Sequence, residues 1–365
     1  MSTKSHENRP SSSNPGGDHV IWKVRLAGVQ FGAIPSFSTR PNPVVANEKL
    51  IASAFAPGCV VAVDRNDGTE LWRSPIRPYA GESILVAHRR VLAKSPNTLF
   101  ALRLDDGQVD WSFSPHGPKG ETLYAGPTVD NGRVFIGDRQ REFRCLAVDT
   151  GDCLWSFRIP EAERGEINAT ALALDNKVFV ATNAGVALAL DQFSGRLIWS
   201  QVVGGPSIHQ LRSWHEKVMV QTGRSLVALR PSDGEIVATF DWPDWRIRAW
   251  AQVSGVTVAV VERLPESTMP PAEPERQIVG FTSGRTLYRR RYEGDFSGLR
   301  SSDVTGLLYE SRVDGFGVID PHSGARVHDV AVPCSELPRP GIADVRDGII
   351  YLLTGNGILC ALRHP

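Results

Sequence analysis

The sequence predicts an all-β fold, an eight-bladed β-propeller of four-stranded antiparallel blades. Three observations lead to this prediction. One phrase, an apolar strand followed by a polar turn, a glycine and a tryptophan strand, recurs along the 365 residues. Its period is about forty residues, which is typical of a propeller blade. The 34 glycines and 25 prolines also fit a chain with many turns and short strands.

The recurring phrase has four nearly complete copies and three weaker ones. The complete copies end in tryptophan: Val60–Trp72, Leu99–Trp111, Cys145–Trp155 and Val186–Trp199. In the weaker copies the tryptophan position holds Ala238, Tyr288 and His328. The turn glycines stand at positions 68, 107, 151, 195, 234, 284 and 324. We expect each of these glycines to supply the positive φ that the outer hairpin requires.

Each unit divides into four strands, and the third unit shows this most clearly. It predicts an inner strand over 124–129, a second over 133–137, a third over 143–148 and an outer strand over 152–159. Asn131-Gly132 is typical of a two-residue hairpin turn between the first two strands.

The two ends of the chain complete the blade count. The segment Gly348–Arg363 contains two strands of a repeat but stops before its tryptophan strand, whereas His19–Leu26 is a tryptophan strand without a preceding repeat. Together they predict an eighth blade that closes the ring and removes the exposed sheet edges. We therefore expect one propeller over 18–365, a disordered Ser/Pro/Gly-rich tail over 1–17, and a proline-rich loop insertion over 263–277 in blade six.

Charge and hydropathy exclude several functional classes. The chain has 40 basic and 40 acidic residues, so we expect no general electrostatic binding to nucleic acid or to an anionic membrane. No apolar run is long enough for a transmembrane helix. No apolar stretch follows Lys4, so no secretory signal is predicted. These features predict a cytoplasmic protein, a monomer or a weak oligomer.

The five cysteines are spread along the chain and form no C-x-x-C motif. This pattern indicates free thiols in a reducing compartment. Cys145 and Cys153 are close enough in sequence to face each other across one hairpin. Because free cysteines are usually core residues, we expect two buried thiols there instead.

The phrase A-x-D-x-x-x-G-x-x-x-W resembles the repeat of the pyrroloquinoline-quinone-type (PQQ-type) propellers. That family includes quinoprotein alcohol dehydrogenases and the propeller lipoprotein of outer-membrane assembly. The resemblance covers about residues 18–363 and implies that the repeat tryptophans dock between neighbouring blades. The matching residues are Trp22, Trp72, Trp111, Trp155 and Trp199.

The resemblance implies a fold rather than a cofactor site. The quinoprotein dehydrogenases carry adjacent cysteines over the quinone and several oxygen ligands around Ca²⁺. This chain has no Cys-Cys pair. We therefore expect no cofactor, neither PQQ nor calcium, and we expect no metal site, since the nine histidines are scattered.

In a propeller the inner strands line a central channel whose mouth is the usual ligand site. Four residues that enter inner strands are candidate acids or bases: His209, Glu82, Tyr79 and Tyr124. The candidate ligand-binding residues are mostly basic and lie in the later blades: Asn168, Arg212, Arg246, Arg248, Trp250, Arg300 and Arg339. Such a set suits an anionic or carboxylate-bearing small molecule. In the alternative, these arginines pair with Asp295, Asp303 and Glu310 or face water.

The segment Asp241–Trp250 contains three tryptophans that the repeat does not explain. We expect them to pack a degenerate blade whose tryptophan position holds Ala238. The alternative is an aromatic wall or a protein contact by Trp242, Trp245 and Trp250, because tryptophan and arginine dominate interface hot spots.

Three functions remain open. The first is a cytosolic, non-redox scaffold that binds a protein or a small ligand. The second is a lyase, cyclase or hydrolase that acts on an anionic molecule at the channel mouth, with Arg246 and Arg248 holding the anion. The third is a quinone-dependent dehydrogenase, which the missing cofactor motifs disfavour.

Overall fold

The computed structural model describes residues 19–26, 43–54, 58–77, 84–115, 123, 125–160, 165–205, 210–263, 274–283, 285–293, 296, 298–312, 315–331, 341–354 and 357–365. These residues form 32 strands arranged in eight four-stranded antiparallel sheets, without a helix among them. The predicted eight-bladed β-propeller is thereby confirmed. Because no helix is found in the described ranges, none of them contains a candidate helical membrane span.

Each of the first four blades takes its strands in chain order from the channel outward. Blade one comprises β2 (Val44–Ala46), β3 (Lys49–Ala54), β4 (Cys59–Asp64) and β5 (Glu70–Ser74). Blade two comprises β6 (Ile84–Ala87), β7 (Arg90–Lys94), β8 (Leu99–Arg103) and β9 (Val109–Phe113). Blade three comprises β10 (Thr128–Asp130), β11 (Arg133–Gly137), β12 (Glu142–Ala147) and β13 (Cys153–Arg158). Blade four comprises β14 (Leu172–Leu174), β15 (Lys177–Ala181), β16 (Val186–Asp191) and β17 (Leu197–Val202).

Blades five to seven follow the same order. Blade five comprises β18 (Gln210–Trp214), β19 (Lys217–Gln221), β20 (Ser225–Leu229) and β21 (Ile236–Asp241). Blade six comprises β22 (Arg246–Val253), β23 (Val256–Arg263), β24 (Glu275–Phe281) and β25 (Thr286–Arg291). Blade seven comprises β26 (Gly298–Ser302), β27 (Leu307–Ser311), β28 (Gly315–Ile319) and β29 (Arg326–Ala331).

Blade eight joins the two ends of the chain, as the sequence predicts. Its sheet has the order β1-β32-β31-β30, with β30 (Gly341–Arg346), β31 (Ile349–Leu353), β32 (Ile358–Arg363) and the N-terminal β1 (Val20–Arg25) as the outer strand. Trp22 lies opposite Ala361, which is the pairing that the repeat implies. The ring is therefore closed by hydrogen bonds between strands that are more than 300 residues apart in sequence.

Five repeat tryptophans dock against the outer turn of the next blade. In each case the indole N–H donates to a backbone carbonyl of that turn: Trp22 to Arg65, Trp72 to Leu104, Trp111 to Val148, Trp155 to Gln192 and Trp199 to Pro231, at 2.9–3.1 Å. The indole ring lies against the turn glycine. At Gly151, where φ is 75°, a Cβ atom would come within 2.6 Å of the Trp111 ring. The glycine therefore serves both the turn conformation and the docking, as the repeat predicts.

Three contacts between neighbouring blades lack the repeat tryptophan, and two of them show which side chain is used instead. Between blades six and seven, Tyr288 takes the place of the indole and lies against Gly324. Between blades five and six, where the repeat position holds Ala238, Trp214 belongs to the same apolar core, and its indole N–H donates to the Thr257 hydroxyl at 2.6 Å. The weaker copies of the repeat thus form complete four-stranded blades, but they contact the next blade through other side chains.

The cysteine expectation is half wrong. Cys145 is buried, but Cys153 is exposed on the outer strand of the same blade, and both are free thiols. The register places Cys145 opposite Trp155 and Cys153 opposite Leu146 across a β-bulge. Desolvation raises the pKa of the Cys145 thiol to about 12, so this thiol is unreactive near neutral pH.

The predicted domain features fall largely beyond the described ranges. The tail over 1–17 lies entirely outside them. Of the predicted insertion over 263–277, Arg263 is the last residue of β23, and Glu275, Arg276 and Gln277 begin β24. Residues 264–273 lie outside the described part of the chain.

The two ends of the propeller differ in their connections. At one end, called the turn end, the first strand of each blade turns into the second, and the third turns into the fourth. At the opposite end, called the loop end, the first strand begins and the last strand finishes. In blade six, β22 and β24 begin at this loop end with Arg246 and Glu275, and β23 and β25 finish there with Arg263 and Arg291.

Candidate functional site

The predicted site residues separate into two groups. Tyr79, Glu82, Tyr124, His209 and Arg339 lie outside the described residues, so the acid, base and ligand roles assigned to them stay predictions. The described candidates lie on or next to inner strands of blades four to seven: Asn168, Arg212, Arg246, Arg248, Trp250 and Arg300.

Arginines at the loop end of blade six converge on one buried carboxylate, Glu262, which is 3% exposed. Arg246 donates to Glu262 Oε1 from Nε at 2.9 Å and from a terminal nitrogen at 2.5 Å. Arg276 Nε donates to Oε2 at 3.0 Å, and Arg248 Nε lies 3.7 Å from the same oxygen. We call these four residues the Glu262 cluster. It holds three positive charges around one negative charge.

The strand register explains why the cluster forms. Glu262 on β23 lies opposite Arg246 on β22 and opposite Arg276 on β24, so its carboxylate has a guanidinium on either side. The register of β22 shifts between Ile247 and Ala249, which leaves Arg248 as the unpaired residue of a β-bulge. Bulges of this kind redirect a side chain, and here the bulge aims Arg248 toward Glu262.

Electrostatics keep the Glu262 carboxylate ionised. Burial by itself raises its pKa, but hydrogen bonds from Arg246 and Arg276 and the charge of Arg248 outweigh burial, and the pKa is lower than usual. Near neutral pH the cluster therefore has an anion at its centre and guanidinium groups at its rim. The Arg246 and Arg248 side chains are 47% and 37% exposed, so the rim faces solvent.

For Arg246 and Arg248 the structure gives a different carboxylate partner from the predicted alternatives. Arg246 and Arg248 pair with Glu262, whereas Glu310 is fully buried and accepts from Arg326 Nε at 2.6 Å. Asp303 is an exposed residue of the turn that follows β26. Sequence reasoning missed Glu262 because its partners become visible only through the pairing register of three strands.

The three tryptophans of the segment 241–250 divide between core and surface. Trp242 and Trp250 are 4% and 1% exposed and belong to the apolar core between blades five and six, as expected for a degenerate blade. This burial favours packing for Trp250 over the predicted ligand contact. Trp245 is only partly buried, and the Arg263 guanidinium lies 5.4 Å from its ring centroid. Trp245 directly precedes Arg246 in the chain and therefore adds an aromatic side chain at the loop end of blade six.

The remaining described candidates lie farther along the channel strands. Arg212 and Arg300 occupy the same register position on β18 and β26, opposite Met219 and Tyr309 in their respective blades. Arg212 also stacks over Trp250, with the guanidinium carbon 5.6 Å from the ring centroid. Asn168 is partly buried, and its Oδ1 atom is buried without a hydrogen-bond partner among the described residues. The structure thus brings Arg246 and Arg248 together at Glu262 and, separately, places Arg212 over Trp250.

The described residues do not fit a metal-dependent quinone site. No three His, Cys, Asp or Glu side chains within the described ranges are arranged to hold a metal ion. The sequence also has no adjacent cysteines.

The fold and its docking tryptophans define the class as an eight-bladed propeller of PQQ-type repeats. Comparison with protein families then places the chain more closely. The profile described as outer membrane protein assembly factor BamB matches residues 11–123, 117–240 and 161–301, and the chain belongs to this family.

Curated relatives agree with this placement. BamB of Yersinia pestis is 24% identical over 266 residues, which are 68% of this chain and 61% of that protein. BamB of Shewanella oneidensis is 26% identical over 205 residues, 52% of this chain and 49% of that protein. The putative dehydrogenase XoxF of Paracoccus denitrificans is 27% identical over 126 residues, 30% of this chain and 21% of that protein. The matched part of the chain spans less than two thirds of the length of these relatives.

Solved structures show the same fold at low sequence identity. BamB from Moraxella catarrhalis aligns with a TM-score of 0.56 at 13% identity, covering 94% of this chain and 99% of that one. The computationally designed Ika8 protein aligns with a TM-score of 0.71 at 14% identity, with the same coverage. Quinohemoprotein alcohol dehydrogenase from Comamonas testosteroni aligns with a TM-score of 0.69 at 12% identity, covering 94% of this chain and 76% of that one.

Proposed function

We propose that this chain is a non-redox scaffold that binds an acidic segment of a protein partner at the loop end of blade six. One observation carries the proposal. The Glu262 cluster gathers three guanidinium groups around a single carboxylate and leaves Arg246 and Arg248 partly exposed. A buried anion fixes the arginines in place, and a surplus of positive charge faces the solvent beside Trp245.

The local composition supports this assignment. Between Arg246 and Arg291 the sequence contains eight arginines and four glutamates, in a chain whose total charge is zero. Arginine and tryptophan are the residues most enriched in interface hot spots, and here they lie side by side. The relatives named as outer membrane protein assembly factors also favour an interaction role over turnover.

The test is capture of partners with matched variants. Purified wild-type protein and a Trp245→Ala/Arg246→Gln variant are compared, with Lys23→Gln/Arg25→Gln as the control, since both of its charges lie on the outer strand β1. A partner that binds the wild type and the control is expected to be lost from the first variant, and its bound segment is expected to be acidic. Equal capture by all three proteins excludes the blade-six site.

A second candidate is a small anionic ligand in the channel, bound or turned over. Arg212 and Arg300 support it, because they project from the same register of two inner strands. A thermal-shift screen with carboxylate and phosphate metabolites tests it, and saturation at a hundredfold excess over Kd adds about 2.7 kcal/mol of apparent stability. A shift that Arg212→Gln abolishes supports this candidate, and the predicted acid and base residues then become targets for turnover assays.

We propose in addition that the protein works in the cytoplasm and without a quinone. Four scattered free cysteines in the described residues suit a reducing compartment. Cell fractionation tests the location. Addition of PQQ with Ca²⁺ to the thermal-shift screen tests the cofactor, and a saturable shift there contradicts the proposal.

A further inference from the structure

The outer strand of blade six carries an uncompensated row of arginines. In β25 (Thr286–Arg291) the last three residues, Arg289, Arg290 and Arg291, are consecutive and exposed. Within the described part of the chain, none of their three guanidinium groups makes a hydrogen bond or an ion pair. This row lies on the outer perimeter of the propeller, three strands away from Arg246 on the channel side.

The outer strands of most other blades carry balanced or neutral side chains. Their ion pairs are Arg73 with Glu70 at 2.6 Å, Asp110 with Arg90 at 2.8 Å, Arg158 with Glu142 at 3.3 Å, and Arg326 with Glu310 at 2.6 Å. β17 has no charged residue, and β21 has one, Asp241. The strand that most resembles β25 is β1, which has two separated cations, Lys23 and Arg25. No other described outer strand has three adjacent like charges.

The three arginines lie on both faces of the blade. Arg289 and Arg290 are opposite Val279 and Ile278, whose side chains belong to the cores toward blade five and toward blade seven, respectively. Because side chains alternate along a strand, Arg291 shares the face of Arg289. The positive charges therefore flank the strand on its two sides.

The backbone of β25 is also available for pairing, so the expectation that closing the ring removes the exposed sheet edges is wrong for this outer strand. It is the last strand in the sheet order β22-β23-β24-β25, so it exchanges ladder hydrogen bonds only with β24. The backbone groups that point outward form an edge onto which another extended chain can add.

Charged side chains on an edge strand also discourage aggregation, but this role does not account for the three adjacent arginines of β25. β17 and β21 are outer strands too, and they carry almost no charge. A β-bulge at the junction of the third and fourth strands already distorts these edges, including that of β25.

We propose that β25 is a docking edge for an extended acidic segment of a protein, which adds to blade six as a fifth strand. The inference rests on the proposed function as a scaffold and names a second surface for it. Backbone pairing supplies the geometry, and carboxylates on successive residues of the added strand meet Arg289, Arg290 and Arg291 on alternate faces. A planar lipid surface meets only one side of such a strand. Nucleic acid normally requires a wider basic field than a chain of zero net charge provides.

The test measures binding of a labelled peptide, Thr-Val-Glu-Glu-Glu-Val-Thr, to the full-length protein by fluorescence anisotropy. The variants are Arg289→Glu/Arg290→Glu/Arg291→Glu and the milder triple replacement by Gln, which retains the strand if charge reversal unfolds it. The control is Lys23→Glu/Arg25→Glu on β1. We expect the charge-reversed variant to bind at least roughly 30-fold more weakly than the wild type, and the control to bind normally.

Strand addition has its own readout. A peptide of the same sequence with N-methylated central residues keeps its charges but cannot pair, so it is expected to bind poorly, and the unmodified peptide is expected to slow hydrogen exchange of the β25 amides. The proposal is overturned if the wild type does not bind the peptide, if the triple variants bind it unchanged, or if N-methylation has no effect. It is also overturned if phosphatidylserine vesicles or a single-stranded oligonucleotide bind the arginines more tightly than the peptide does.

This result is separable from the proposed function. The β25 variants leave Trp245 and Arg246 intact, so capture of a partner that depends on those residues survives a failure at β25. A failure at the Glu262 cluster likewise leaves peptide binding at β25 unchanged.

Discussion

Replacing Glu262 by glutamine gives a quantitative test of the Glu262 cluster. The change keeps the shape of the side chain but leaves Arg246, Arg248 and Arg276 without their shared anion. Removing one partner of a buried ion pair destabilises a protein by about 3–5 kcal/mol. Because Arg246 and Arg248 are 47% and 37% exposed, water screens part of this loss, and we expect about 2 kcal/mol.

This loss is measurable in two ways. At about 2.1 cal/mol/K of unfolding entropy per residue, 2 kcal/mol lowers the Tm of a chain of 365 residues by about 3 °C. In urea, the midpoint falls at constant m value. The control is Glu275→Gln, which removes an exposed partner of Arg263 and is expected to change stability by less than about 0.5 kcal/mol.

The pH dependence follows from the lowered pKa of Glu262. A carboxyl whose pKa is lower in the folded state stabilises the protein above its unfolded pKa of about 4.3, and this contribution is lost as pH falls through the folded pKa. The difference in urea midpoint between wild type and Glu262→Gln is therefore full at pH 7 and shrinks below about pH 4. Equal midpoints at pH 7, or a difference that does not change with pH, would show that the ionised Glu262 carboxylate does not stabilise the cluster.

Three further predictions concern packing and thiols. Trp111→Ala removes a buried indole and its hydrogen bond, and a thermal melt is expected to show a loss of about 3–5 kcal/mol; a loss under 1 kcal/mol contradicts the docking. Gly151→Ala adds a clash with that indole to the strain of a positive φ, whereas at Gly132, which also has a positive φ, the new Cβ meets only His88 at an ordinary contact distance of 3.8 Å. The first change is therefore expected to lose at least about 1 kcal/mol more in urea denaturation, and equal losses contradict this. A maleimide reagent on the native protein at pH 7 is expected to modify Cys153 and spare Cys145, as read by peptide mass spectrometry, because Cys145 is buried and its pKa is raised to about 12.

Most of the fold was predictable because its information is local. Each blade repeats one strand–turn–strand phrase, and the glycine and the tryptophan of that phrase contact each other across neighbouring blades. Trp22 and the strand Ile358–Arg363 predicted the closing blade because each supplies the part of a repeat that the other lacks. Even the seam at Tyr288 follows the phrase, with a phenol ring in place of the indole.

The site was harder to predict because it depends on register rather than on local pattern. Arg246 and Arg248 stood out in the sequence, but Glu262 is 14 residues beyond Arg248 and shares no motif with it. Only the pairing of β22, β23 and β24, with a bulge at Arg248, brings the four side chains together. Composition alone also cannot separate partly buried Trp245, which precedes β22, from Trp250, which is buried within that strand.

The basic loop end of blade six is proposed to bind an acidic protein segment. The most direct measurement is the Kd of a captured partner for wild type, for Trp245→Ala/Arg246→Gln and for the control Lys23→Gln/Arg25→Gln, at about 50 mM and about 300 mM salt. We expect the partner to bind the first variant at least roughly tenfold more weakly than the wild type, and to bind the control like the wild type. We also expect the higher salt concentration to weaken binding to the wild type more than binding to the first variant. The same Kd for all three proteins, unaffected by salt, would contradict this proposal.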